Sequence, residues 1–74
     1  LFSYINSDEA TIPNCKTHCQ DTREGKYPSC RGCDHYVVCT KYGMLHQKLC
    51  PVGRQWDDHK KACRAKSSTC PNNR

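Results

Sequence analysis

Apolar residues are scarce in this chain and nowhere gather into a block. Hydrophobic residues account for 35% and aromatics for 8% of the 74 residues, and mean hydropathy is −0.95. The longest apolar run, tyrosine aside, is Val37-Val38-Cys39, far short of the roughly 20 residues a membrane-crossing helix needs. It is also too short for a core helix, and no internal repeat is present. No Asn-X-Ser/Thr sequon occurs. No N-terminal signal segment is seen, and the chain starts at Leu1 rather than Met, as expected of a mature form trimmed after secretion. No glycine-rich phosphate loop or recognition-helix pattern accompanies the basic residues.

Cysteine, by contrast, is abundant. Eight fall at positions 15, 19, 30, 33, 39, 50, 63 and 70. A charged, apolar-poor chain of this length sits close to disorder unless it is crosslinked. Closing a loop of about 15 residues removes unfolded-state entropy equivalent to roughly 3 kcal/mol, so four bridges supply most of the net stability. An even count leaves no spare thiol and points to an oxidising compartment, with secretion the expected address.

Charge divides unevenly. Residues 1–40 carry a net −1 and residues 41–74 a net +6, within an overall +5. The basic half suits solubility or attraction to anionic microbial surfaces. Nucleic-acid binding would draw on this charge with Trp56 and Tyr42 as stacking groups, but the extracellular address argues against it.

Along the chain, residues 1–14 read as an N-terminal arm in which Phe2, Tyr4 and Ile5 are able to pack an edge. Residues 15–70 form the disulfide domain and 71–74 a short tail. Gly25-Lys26-Tyr27-Pro28 carries a turn signal. His35 to Thr40 is β-branched and aromatic, and Met44 to Leu49 returns antiparallel through Lys41-Tyr42-Gly43. Cys50-Pro51-Val52-Gly53 marks a further turn. Arg54-Gln55-Trp56 and Lys60-Lys61-Ala62-Cys63 make a short hairpin around Asp57-Asp58-His59. Helix is limited to a turn after Thr17 or near Lys60.

Several chemistries can be weighed. Cys15-x3-Cys19 and Cys30-x2-Cys33, beside His18 and His35, look like halves of a zinc site, but the remaining four thiols would be stranded, so no metal is expected. A catalytic cysteine needs a free thiolate, and an even, fully paired set leaves none. Asp57 and Asp58 are neighbours at a turn and cannot flank a substrate as paired hydrolytic acids do. No enzyme and no cofactor are therefore expected. Carbohydrate binding fits better. Sugar rings present apolar C–H faces to an aromatic platform while carboxylates and amides fix register by hydrogen bonds. Gln55-Trp56-Asp57-Asp58-His59 gathers those groups at one hairpin tip. A lone Trp in a disulfide-rich domain also commonly fills the core, so Trp56 has two readings. Tyr36, between two cysteines on a strand, reads as core; Tyr42, at a turn, reads as exposed. Lys60, Lys61, Arg64 and Lys66 are most simply a solvated face.

From Cys33 the spacing runs C-x5-C-x10-C-x12-C-x6-C, enclosing Cys33-Asp34-His35-Tyr36-Val37-Val38-Cys39, Gly43 and Cys50-Pro51-Val52-Gly53-Arg54-Gln55-Trp56-Asp57. Upstream lie Cys19 and Gly25-Lys26-Tyr27-Pro28. Together these resemble the peritrophin-A type chitin-binding domain, carbohydrate-binding module family 14, including its tachycitin-like members. The resemblance covers about residues 15–70. It implies a small, disulfide-rich, mostly β fold with an N-terminal three-stranded antiparallel sheet, a C-terminal two-stranded hairpin and four disulfides.

The resemblance also implies secreted, non-catalytic binding of chitin or N-acetylglucosamine oligomers, in antimicrobial defence, in a chitin matrix or in shielding of fungal walls. Binding positions carried over from the tachycitin-like members fall on Asp57, His59 and Ala62, and those from fungal effectors of the group on Trp56 and Asp58. His59 and Ala62 replace a tyrosine and a valine, which makes that face less apolar. The expected site is Trp56, Asp57, Asp58 and His59, with Tyr42 extending it.

The family pairing implies Cys33–Cys70 and Cys50–Cys63, and pairs the first family cysteine with Cys39. Cys19–Cys39 with Cys15–Cys30 is the favoured completion; Cys15–Cys39 enclosing Cys19–Cys30 is the other. Two functions compete with sugar binding. One is a cationic antimicrobial or toxin-like peptide on the same scaffold, and the other is a cystine-rich ligand for a protein receptor.

Overall fold

A computed structural model describes residues 12–71, so the arm read over 1–14 and the tail over 71–74 lie largely outside the described residues, as do Phe2, Tyr4 and Ile5. Five strands follow in chain order: β1 (Gly25–Pro28), β2 (His35–Cys39), β3 (Leu45–Leu49), β4 (Gln55–Asp57) and β5 (Ala62–Arg64). The first three form an antiparallel sheet in the order β1-β2-β3, and β4 and β5 form a separate hairpin. This is the expected small, mostly β, disulfide-rich architecture.

β2 is central because its Tyr-Val-Val-Cys stretch suits a pleated surface with both faces covered. It pairs Tyr27↔Val37 on one side and Val37↔Gln47 on the other. Alternation along the strand sends Val37 and Cys39 to one face and Tyr36 to the opposite one. Val37 and Cys39 are wholly buried. Tyr36 lies under Trp56 of β4, with ring centroids 4.6 Å apart and planes 17° from parallel. Two backbone hydrogen bonds dock the second unit at the start of β2. Cys50 N–H donates to the Asp34 carbonyl and Trp56 N–H to the Cys33 carbonyl, each at 2.8 Å.

The turns have local causes. At the β2–β3 connection the Thr40 hydroxyl accepts from the backbone N–H of Tyr42 (3.2 Å) and of Met44 (3.1 Å). Between β3 and β4, Arg54 N–H returns to the Pro51 carbonyl at 3.0 Å, and Gly53 sits at φ 81°, as a type II turn requires.

Two readings are corrected. Gly25-Lys26-Tyr27-Pro28, with its turn signal, is strand β1. A Gly and a Pro are tolerated there because β1 is an edge strand and Pro28 closes it, where no ladder N–H is needed. The helical turns expected after Thr17 or near Lys60 are also replaced: among the described residues there is no α-helix. Both segments instead make tight turns that place Asp21 (φ 56°) and Lys61 (φ 54°) in the left-handed region, which a continuing helix excludes.

The bridges are Cys15–Cys30, Cys19–Cys39, Cys33–Cys70 and Cys50–Cys63, the favoured completion of the two. All eight cysteines are paired. Among the described residues the buried apolar set is Cys19, Val37, Cys39, Cys50, Trp56 and Cys70. The core is therefore mostly cystine, joined by Val37 and Trp56, with Pro28 buried at the end of β1. Cys15–Cys30 lies apart from it, at the edge of β1, where Lys16 bridges in parallel to Ser29.

Candidate functional site

The β4–β5 hairpin is only three residues long on each side, too short to hold itself by its ladder, and its tip is organised by side chains. Asp57 stands at the end of β4 and its Oδ1 accepts from the backbone N–H of His59 (3.0 Å) and of Lys60 (3.2 Å). The carboxylate thus caps the turn, and Asp57 is only 6% exposed. Lys61 in the left-handed region reverses the chain into β5.

Asp58 is the next residue and points differently. Its Oδ1 accepts from the Trp56 indole Nε1 at 3.3 Å and from Lys61 Nζ at 2.7 Å. Its own N–H donates to Thr69 Oγ1 at 3.1 Å. Lys61 Nζ donates a further bond to the Lys26 carbonyl (3.0 Å) and lies 5.1 Å from the Tyr27 ring centroid, so the tip is pinned to β1. Thr69 also bonds Ser67 Oγ (2.8 Å) and donates to the Trp56 carbonyl (3.4 Å), while Ser67 N–H donates to Gln55 Oε1 at 3.1 Å. The segment 67–70 is thereby laid along β4 and locked by Cys33–Cys70.

A shallow cavity of about 180 Å³ opens beside this tip, lined by Pro13, Asn14, Asp58, His59, Ser68 and Thr69. It offers one carboxylate, one exposed imidazole, an amide and two hydroxyls. That set suits a neutral polyol with amide groups: hydrogen-bond donors and acceptors converge around one flat ring.

Of the five expected site residues, the structure brings Asp58 and His59 to this cavity. Trp56 and Asp57 lie beneath it. Trp56 is 4% exposed and its face is taken by Tyr36, so the ring is not open to stack on a sugar in this conformation. The core reading of the lone Trp therefore describes it: the indole lies against the Tyr36 ring and is shielded from solvent. Tyr42 is 79% exposed in the β2–β3 turn, with Lys41 Nζ 5.5 Å from its ring centroid, and is not part of the cavity lining. Ala62 is half-buried at the start of β5.

Pro13, Asn14, Ser68 and Thr69 had not been singled out from the sequence. The signal for them is topological: Cys15–Cys30 and Cys33–Cys70 pull both ends of the domain to the hairpin tip. Lys61, read as part of a solvated face, is exposed and is also bonded to Asp58 and to β1.

The profile of the chitin binding Peritrophin-A domain matches residues 19–73. The chain belongs to the peritrophin-A chitin-binding family. No curated protein and no solved structure matches the chain. This peritrophin-A domain is thus a chitin-binding module of a non-catalytic family, and Cys15 falls ahead of the matched residues, so the bridge that carries Asn14 to the cavity is the one added to the family frame. Among the described residues no helix of the peritrophin-A domain is long and apolar enough to cross a membrane.

Proposed function

We propose that this domain is secreted and binds chitin or N-acetylglucosamine oligomers at the tip of the β4–β5 hairpin, without catalysis. The observation that carries the reading is the cavity at Asp58 and His59 within a chain of the peritrophin-A family. His59 offers the exposed ring against which a sugar face lies. Asp58 accepts from a hydroxyl or an acetamido N–H, and Asn14, Ser68 and Thr69 complete the rim. Trp56 and Asp57 act from below, one holding the Asp58 carboxylate and the other the backbone of His59. Tyr42 is a lesser contact outside the cavity. Four disulfides support an extracellular setting. Lys60, Arg64 and Lys66 are exposed and add attraction to anionic microbial surfaces, in keeping with a role in antimicrobial defence or chitin-matrix association.

The test is NMR titration of the labelled domain with chitohexaose in high salt, which screens charge-driven adsorption but not ring stacking or short hydrogen bonds. Amide shifts clustered at Asn14, Asp58, His59 and Thr69 are expected. Saturable binding whose shifts miss all four moves the site elsewhere, and absence of binding at high salt favours a cationic peptide on the same scaffold.

A further inference from the structure

The carboxylate that faces the cavity is already half neutralised. Asp58 Oδ1 is held at 2.7 Å by Lys61 Nζ and at 3.3 Å by the Trp56 indole, while Asp58 Oδ2 makes no hydrogen bond among the described residues. The side chain of Asp58 is 22% exposed and that of Lys61 51%, so the pair is open to a ligand on one side. The other carboxylate of the tip, Asp57, is buried and committed to the turn. On the cavity side His59 lines the same wall as Asp58, with Lys60 exposed beside it in the same turn; the Glu24 carboxylate lies on the far side of Lys61. A second depression, about 280 Å³ and lined by Glu24, Gly25, Lys26, Tyr27 and Lys61, lies on the other side of Lys61. The Lys61 ammonium thus lines this second depression and acts on the Asp58 cavity through its ion pair with the Asp58 carboxylate.

We propose that Lys61 is a specificity-determining residue that makes the site select N-acetylglucosamine over deacetylated glucosamine units. This rests on the reading of the hairpin tip as the sugar site. An acetamido group is neutral, donates one N–H and is satisfied by Asp58 Oδ2 while Lys61 keeps Oδ1. A glucosamine ammonium meets a carboxylate whose charge is already balanced and an ammonium close by. It loses water without gaining a net ionic partner, and specificity then comes from the repulsive element as much as from the attractive one. Without Lys61, Asp58 keeps only the neutral Trp56 indole as a donor, and its uncompensated charge attracts the same ammonium.

The experiment compares hexamers of N-acetylglucosamine and of glucosamine by calorimetric titration at mildly acidic pH, where the glucosamine amine is charged. The native domain is expected to bind the acetylated hexamer and to bind the deacetylated one much more weakly. Lys61→Met keeps the aliphatic stem over Tyr27 and removes the charge. It is expected to narrow the preference about fivefold, the effect of one exposed charge contact of ~1 kcal/mol. Asp58→Asn, which leaves Lys61 unpaired, is expected to widen the preference and gives a second reading if Lys61→Met perturbs the fold. Equal binding of both hexamers by the native domain, or an unchanged ratio in both variants, overturns the role of Lys61 while leaving chitin binding intact. Failure of the native domain to bind the acetylated hexamer overturns the function proposed above and this inference with it.

Discussion

The sheet and the hairpin of this domain are both β-structure, yet they are held in different ways. In the sheet, β2 is paired from Tyr36 to Cys39 on both sides, and its buried face needs little more than Val37 and the Cys19–Cys39 bridge. In the hairpin each strand contributes three residues, and order comes from outside the ladder. Trp56 is stacked on Tyr36, Asp57 caps the turn, Lys61 reaches back to β1, and Ser67 and Thr69 clasp the strand from the C-terminal side. The short hairpin thus uses its most chemically distinctive residues for support. On the proposed reading, the groups that face a sugar are those the support does not consume, Asp58 Oδ2 and His59.

The sharpest way to break the contrast is Trp56→Ala. Removing a buried aromatic costs about 3–5 kcal/mol, comparable with the whole stability of a small domain. Thermal unfolding should show a large drop in Tm, and NMR should show the hairpin signals collapsing toward random-coil positions. A variant that stays folded and loses only chitin affinity would return Trp56 to the role of exposed platform.

A smaller effect is expected of Asp57→Ala. It leaves two turn N–H groups without their acceptor, at about 1–3 kcal/mol. Denaturant unfolding should register that loss, with hydrogen exchange accelerated at His59 and Lys60 but unchanged in β2. Equal acceleration in both units would show that the hairpin and the sheet unfold as one, and the contrast drawn here would go.

Tyr42→Ala should change least. An exposed side chain at a turn whose backbone is fixed by Thr40 alters stability within about 0.5 kcal/mol. Chitohexaose affinity should fall less than in His59→Ala. A larger fall for Tyr42 in a direct comparison of the two would extend the binding face across the sheet and away from the hairpin.

Much of the architecture was legible because cysteine spacing and turn residues are local, one-dimensional signals. The β2–β3 meander follows from Tyr36-Val37-Val38 and Gly43, and the hairpin from the span between Cys50 and Cys63. β1 was less legible, since Gly25 and Pro28 carry turn character that only an edge position overrides. The site was legible in part. Trp56-Asp57-Asp58-His59 could be placed at one tip, but not divided into buried and facing members. That division depends on Tyr36 lying under the indole, a contact made across the sheet. Asn14 and Thr69 were out of reach for the same reason: they become neighbours of Asp58 and His59 through bridges that close long loops.

The cystine core has a consequence for how this domain can change over generations. Most cores tie their fold to the shapes of a dozen or more packed side chains, each of which restricts its neighbours. Here the described core is chiefly paired sulfurs, one valine and one tryptophan, and many exposed positions away from the hairpin's supports carry little packing constraint. A change at an exposed position such as His59 therefore costs the fold little. A fold held chiefly by its cysteine frame leaves the exposed surface it carries open to substitution at little cost in stability.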